Sequence, residues 1–566
     1  MNNRVLTILT AVMLLCSQMV FSSCEEEEKN DPPVPVNNGN GGNGNNNNNG
    51  NTSNNGDNSA EEKLPTVADE IYDENYVSGG VGGTTTPTEE TYTYDLSDVL
   101  DKILSHNLAS NEEVVATSIE DLYAIKQKAD NGDASAQFKL GNCYYHGDGV
   151  NKDYAVAVEW YSKAAEQGNA AAQNNLGVCY EYGRGVDKNM TTALEWYNKS
   201  AVQDNAVAQC NFGIFYYYGN GVVQNYTKAI EWFKKSADKD NARAQDMLGD
   251  CYYYGNGVIK DYPTAVEWFK KAALQGNNNA IYALGLCCEF GFGVKQNYTS
   301  ATKLYQKASV DNGYNVLFRL GRCYYYGNGV AQDYSKAVVY FQQSAEQGLA
   351  SAQYYLGLSY HMGNGVSKDK YVAIEWYTKA AEQGNIDAQK ALAECYLFTE
   401  MDKYIMWVQK AAEQGDAEAQ NSMGSYYDAW KDYVQAAEWY KKSADQGNAN
   451  AQNSLGELFE SGKGVLQSYQ TAFDLFKKAS IQGNREAQYN LGDLYYYGYG
   501  VNKNYYTALE YYKRSANSVN GKAWYMLGYC YEHGHGTEKD IIKAKEWYQK
   551  AAGLGNSNAK ERLNNL

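Results

Sequence analysis

From residue 134 onward, apolar side chains return at helical spacing. Ala136, Leu140 and Tyr144 fall at i, i+4 and i+8 and form one stripe. Gly147-Asp148-Gly149-Val150 then breaks the helix, because glycine reaches positive φ without steric cost. Ala157, Tyr161 and Ala164 make a second stripe at i, i+4 and i+7, and Gly168-Asn169 turns the chain into the next unit. The spacing predicts two short antiparallel helices, A and B, with Gly141 letting the partner helix approach closely. Neither helix can bury its stripe alone. Stacking neighbouring pairs does, so stability rests on nearest-neighbour interfaces and the ends need caps.

The unit recurs. Leu140-Gly141 returns at 36-residue steps as Leu176-Gly177, Phe212-Gly213, Leu248-Gly249, Leu284-Gly285, Leu320-Gly321 and Leu356-Gly357. It continues as Leu392-Ala393, Met423-Gly424, Leu455-Gly456, Leu491-Gly492 and Leu527-Gly528, which makes twelve units. A period of this size means a helical array. Units eight and nine lack the G-x-G-V loop, reading Tyr396-Leu397-Phe398-Thr399-Glu400 and Tyr427-Asp428-Ala429-Trp430-Lys431. A tighter turn and a bend near 393–435 are expected there. Upstream, Leu96, Val99, Leu100, Ile103 and Leu104 predict a helix start. A second helix is expected from Ser118, with Asp121 three residues on as in a capping box, to about Lys128, as an N-terminal cap. Residues 96–133 are thus N-terminal helices and cap, 134–556 the twelve repeats, and 557–566 a capping half-repeat.

The pattern A-x-A-Q-x-x-L-G-x-C-Y-Y-x-G-x-G-V-x-x-D-Y-x-x-A-x-x-W-Y-x-K-A-A-x-Q-G-N resembles the Sel-one-like repeat, a relative of the tetratricopeptide repeat. The resemblance implies an all-α, right-handed solenoid of antiparallel helix pairs. It further implies an adaptor or receptor for other proteins rather than an enzyme, exported in bacteria and acting at the cell envelope. By the geometry of related repeats, helix A lines a concave surface. The residue four after the repeat glycine then points inward: Tyr145, Tyr217, Tyr253, Tyr325 and Tyr496 occupy that slot, which elsewhere holds Glu181, Glu289, His361, Leu397, Asp428, Glu460 and Glu532. Two before the repeat leucine stand Phe138, Tyr282, Phe318, Tyr354, Tyr489 and Tyr525. These slots vary within the chain while the Leu, Gly and Ala core slots do not. Tyr offers large apolar area, few rotatable bonds and a hydroxyl, so the stripe suits a protein or peptide partner. Stacked aromatics also suit sugar rings, which keeps a glycan ligand open. For any single Tyr, packing between neighbouring repeats is the competing reading.

Composition changes the picture at the N-terminus. Of six prolines, Pro263 alone lies beyond residue 90, as a helical body requires. The net charge of −18 is concentrated between Glu25 and Glu113, where 19 acidic residues face 3 basic ones. The remainder is close to neutral, without the basic excess that attracts phosphate backbones, so nucleic-acid binding is not expected. Arg4 precedes an apolar run from Val5 to Phe21, as in a secretory signal. Phe21-Ser22-Ser23-Cys24 resembles the lipobox of bacterial lipoproteins, with Phe21 in place of the usual aliphatic residue. The resemblance implies a signal peptide over 1–23, acylation of Cys24 and membrane anchoring, with a membrane helix beside an incidental cysteine as the alternative. Glu25-Glu26-Glu27-Glu28 resembles export tags of surface-exposed lipoproteins in some Gram-negative bacteria, which implies outer-membrane, outward display. Residues 24–95, acidic and then almost wholly Asn and Gly over 37–58, read as a tether. Its flexible part would average about 45 Å end to end.

Other chemistry is weaker. Seven cysteines (Cys143, Cys179, Cys251, Cys287, Cys323, Cys395 and Cys530) share one slot, spaced roughly 10 Å apart and beyond disulfide reach, so they read as small buried hydrophobes. Cys287-Cys288 is the one adjacent pair. Cysteine-rich relatives with bridges inside each repeat have been linked to β-lactam hydrolysis, but that spacing is absent here. His533-Gly534-His535 sits in an ordinary loop slot, so no metal is expected. The G-x-G loops lack the lysine of a phosphate cradle, no nucleophile pairs with a base, and no cofactor is expected.

Overall fold

A computed structural model describes residues 96–105, 119–309, 313–516 and 520–566. The expected signal peptide over 1–23, Cys24 and the expected tether over 24–95 lie outside the described residues. Those described form an all-α repeat solenoid of 27 helices with no strand. In order they are α1 (Ser97–Ser105), α2 (Ile119–Asp130), α3 (Ala134–His146), α4 (Tyr154–Glu166), α5 (Ala170–Tyr182), α6 (Met190–Ala201), α7 (Ala206–Tyr218), α8 (Tyr226–Ala237) and α9 (Ala242–Tyr254). There follow α10 (Tyr262–Leu274), α11 (Asn278–Phe290), α12 (Tyr298–Ala308), α13 (Tyr314–Tyr326), α14 (Tyr334–Glu346), α15 (Ala350–Met362), α16 (Lys370–Glu382), α17 (Ile386–Tyr396) and α18 (Met401–Glu413). The last are α19 (Ala417–Ala429), α20 (Tyr433–Asp445), α21 (Ala449–Ser461), α22 (Tyr469–Ile481), α23 (Arg485–Tyr497), α24 (Tyr505–Ser515), α25 (Gly521–His533), α26 (Ile541–Gly553) and α27 (Ser557–Asn565).

The recurring Asn and Asp are N-caps. Asn169 accepts from the Ala172 amide at the start of α5, and Asp153 accepts from Ala155 and Val156 at the start of α4. The loop glycine that follows each full-length A helix takes the left-handed conformation, as Gly147 does at φ 88 after α3. Leu349 breaks the rule, since α15 starts with no side-chain cap. Leu349→Asn is expected to add about 1 kcal/mol of stability, read as a raised urea midpoint. An unchanged midpoint would mean that the lost apolar contacts of Leu349 offset the new cap.

The chain divides into two compact units, with the boundary between Trp376 and Tyr377. In each, the core runs through the helix pairs and on between neighbouring repeats. Ala157, Tyr161 and Ala164 of α4 bury against Ala172, Leu176 and Cys179 of α5. In the second unit, Ala544, Tyr548 and Ala551 of α26 close on Ala559 of α27. The turns of repeats eight and nine are short. Glu400 donates its amide to the Tyr396 carbonyl, and Lys431 turns the chain at φ 64. Among the described residues no helix is long and apolar enough to cross a membrane.

Candidate interaction surface

Ten of the repeat glycines sit under an aromatic ring from helix B. A Cβ on Gly141 would meet Tyr161 ring carbons at 2.6 Å, and one on Gly249 would meet Phe269 at 2.4 Å. The ring is what the glycine makes room for. Its hydroxyl, where there is one, reaches the inner side of helix A: Tyr161 donates to Asn142 Oδ1 at 2.7 Å, and Tyr197 and Tyr305 donate to Glu181 and Glu289, both at 2.5 Å. Where the inward slot holds Tyr217, Tyr253 or Tyr325, helix B supplies Phe233, Phe269 or Phe341 instead, and the rings meet at 6.0–6.3 Å. At Tyr161, Tyr197 and Tyr305 a buried hydroxyl is thus matched by an oxygen acceptor on helix A.

The inward tyrosines also link one repeat to the next. Tyr145 accepts from Arg184. Asn256 donates to Tyr217 Oη at 2.7 Å and Asn364 to Tyr325 Oη at 2.9 Å, while Tyr496 pairs with His535 Nδ1 at 2.6 Å. In each case the partner is the middle residue of the following repeat's G-x-G loop, 39 residues on. Tyr253 faces Phe292 in that position, with ring centroids 5.9 Å apart, and Phe292 stacks on Tyr262 at 4.7 Å.

These contacts correct the reading of the inward stripe as a partner surface. Tyr217, Tyr253, Tyr325, Tyr496, Tyr282 and Phe318 are all less than one-tenth exposed, so they serve stacking between repeats and present little to a partner. Burial takes them because the apolar area of a ring is worth more against the next repeat than in water. Phe138, Tyr145, Tyr354, Tyr489 and Tyr525 stay half-buried. Around two of these lie further rings that sequence reasoning passed over. Tyr525 is 6.3 Å from Tyr529, and Tyr529 stacks on His533 at 4.1 Å. Exposed Tyr497 and Tyr499 stack at 5.5 Å, and Tyr499 lies 5.0 Å from Tyr469. In the other unit, the hydroxyls of Tyr326 and Tyr355 meet at 3.1 Å beside Tyr354.

Carboxylates also stand on the A helices. Asp246 and Asp250 are almost fully buried on α9. Burial pushes the Asp246 carboxyl up to about 7, with Arg243 opposing. Burial and then the neighbouring Asp246 hold the Asp250 carboxyl well above the ordinary carboxylate range. In the second unit, burial with Asp493 and Glu457 raises Glu460 to about 7. The signal for Asp250 was a charge inside the Leu-Gly-x-Cys run, where Val178, Ile214 and Leu286 stand in other repeats. The nine described repeat cysteines are buried free thiols, Cys287 and Cys288 included. Burial holds Cys179, Cys210 and Cys530 up at about 12, far from a reactive thiolate. Among the described residues no three His, Cys, Asp or Glu side chains form a metal-binding group. His535 is taken up by Tyr496, with Tyr505 stacked on it at 4.4 Å.

The family model described as the Sel1 repeat matches residues 134–169, 170–205, 206–241, 242–277, 278–309, 316–349, 350–385, 405–416, 417–448, 449–484, 485–520 and 522–556, well over half of the chain. Among solved structures, the chain is similar to c5321, a protective antigen present in uropathogenic Escherichia coli strains displaying an SLR fold. Identity is 35%, over 78% of this chain and 97% of that one, with a TM-score of 0.60. A Sel1 repeat protein from Oxalobacter formigenes is 31% identical over 43% of this chain and 96% of its own, with a TM-score of 0.39. No curated protein matches the chain.

Proposed function

Because the chain belongs to the Sel1 repeat family, whose scaffolds are generally non-catalytic adaptors in protein–protein interaction, we propose that it is a lipid-anchored scaffold that binds a protein or peptide partner. The anchor is the acylated Cys24, and the tether 24–95 holds the folded body away from an outer-membrane surface. The contact rings are those left half-buried or exposed on the A helices and their loops: Tyr489, Tyr497, Tyr499, Tyr525 and Tyr529 in one unit, Tyr354 with Tyr326 and Tyr355 in the other.

One observation carries the reading. The chain buries six of its inward aromatics in repeat stacking, yet at repeats eleven and twelve leaves Tyr489, Tyr525 and Tyr529 half-buried and Tyr497 and Tyr499 exposed. Tyr is enriched at interface cores because it brings area at low conformational cost.

Tyr489→Ala/Tyr525→Ala is expected to abolish crosslinking of the partner to the intact protein while leaving the helical circular-dichroism signal unchanged. Retained crosslinking would overturn this placement of the partner face. Retained binding to a glycan array, with no protein captured, would assign the rings to carbohydrate. For the anchor, metabolic labelling with an alkyne fatty acid is expected to mark the wild type and not Cys24→Ala.

A further inference from the structure

The first helix of the described chain does not lie at the end of the array. Helix α1 packs on α10 and α12, the B helices of repeats four and five, whereas α2 packs on α3 of repeat one. Leu96, Leu100 and Ile103, at i, i+4 and i+7, are at most 9% exposed and join the core that contains Val266, Ile281 and Leu304. Val99 and Leu104 pack beside them, while Asp101 and Lys102 face solvent.

The seat for this helix is written into the repeats beneath it. Three before the repeat leucine, nine of the twelve repeats carry Gln. Eight of these nine bond back to the helix before, as Gln173 does to the Ala165 carbonyl at 3.0 Å. Gln167 in turn donates to Gln137 at 2.7 Å, so the edge of the array is polar there. Repeats five and six instead hold Ile281 and Leu317, both buried. The last position of α10 is Leu274, where six other repeats carry Glu or Asp. Of these apolar residues, Ile281 and Leu274 lie in the same core as Leu96, Leu100 and Ile103, whereas Val202 and Ile481 at the Leu274 position of repeats two and ten are exposed.

We propose that this seat is a docking site for an amphipathic helix with apolar residues at i, i+4 and i+7, that α1 fills it in cis, and that a partner helix of the same pattern binds by displacing α1. The inference builds on the adaptor reading by naming a partner chemistry, but its test needs no external partner, so either can fail alone. Two features make α1 an exchangeable occupant. It has nine residues, shorter than an isolated helix needs to be stable in water. It is also joined to α2 through residues 106–118, which can reach at most about 45 Å, so after release it stays close and competes at high local concentration.

The test uses the full chain, wild type and Leu100→Asp/Ile103→Asp, with a fluorescein-labelled synthetic peptide of residues 94–106. Anisotropy titration is expected to show the peptide binding the double variant at least tenfold more tightly than the wild type. A control peptide carrying the same two changes is expected not to bind. Absent or equal binding, with circular dichroism showing the array folded, would overturn the proposal. Hydrogen exchange on the wild type gives a second reading that does not depend on the variant folding. Amides of 99–105 are expected to exchange at least tenfold faster than those of α10 and α12. Exchange at a common rate would make α1 a permanent part of the core and would equally overturn the proposal.

Discussion

Gly249→Ala is expected to destabilise the unit that contains it by about 2–3 kcal/mol, although alanine is the better helix former by about 1 kcal/mol. The new methyl would lie 2.4 Å from both Cδ1 and Cε1 of Phe269, and that ring is fully buried between repeats with no room to swing aside. Either α9 and α10 move apart or the ring leaves its rotamer. Both outcomes open the interface to the next repeat. Chemical denaturation should show the loss as a lowered midpoint for the first transition. Gly249→Ala/Phe269→Leu should recover part of it, because the smaller side chain vacates the space the methyl needs. Gly553→Ala is the contrast: no atom lies within 4 Å of its Cβ position, so it should be neutral or slightly stabilising. Equal effects at 249 and 553 would show that ring packing is not why the repeats keep glycine.

Asp250→Asn is expected to raise stability on the order of 2 kcal/mol at pH 8 and to change nothing near pH 4. The folded-state affinity of Asp250 for a proton is raised by burial and by Asp246, so the folded protein favours the neutral acid. A carboxyl raised in this way contributes its full stability below the unfolded value near 3.9. That contribution is lost as pH rises through the folded value, which burial and Asp246 hold well above the ordinary carboxylate range. Asparagine is neutral throughout and removes the cost. Thermal melts of wild type and variant at pH 4, 6 and 8 should therefore diverge with rising pH. Curves that stay parallel would mean the pair is solvated in solution. Tyr217 and Cys251 face the same carboxyl and would feel the change.

Much of this was legible along the chain because it is local. The helix pairs, their Asn and Asp caps and the left-handed glycines depend on residues within a few positions of one another, and twelve copies make each signal redundant. The short turns at Glu400 and Lys431 were equally visible as missing G-x-G-V residues. The inward tyrosines mark the limit. Tyr282 and Tyr489 share one slot, two before the repeat leucine, yet Tyr282 is buried beside Tyr305 at 5.7 Å while Tyr489 stays half-buried beside Tyr512 at 5.8 Å. The ring partner 23 positions on is the same in both repeats, so the difference comes from what else packs on each, which no periodicity ranks.

What the sequence by itself determined is the repeat: helix length, capping, glycine beside ring, and a core built between neighbours, all set by short-range sterics and a period of 36. Tertiary structure alone decided which rings are spent on stacking and that Asp246 and Asp250 are shut in together. It also placed Leu96, Leu100 and Ile103 on repeats four and five instead of at the end of the array. Burial and long-range docking depend on what arrives from distant positions, and an apolar stripe specifies only that it must be covered, not by which neighbour.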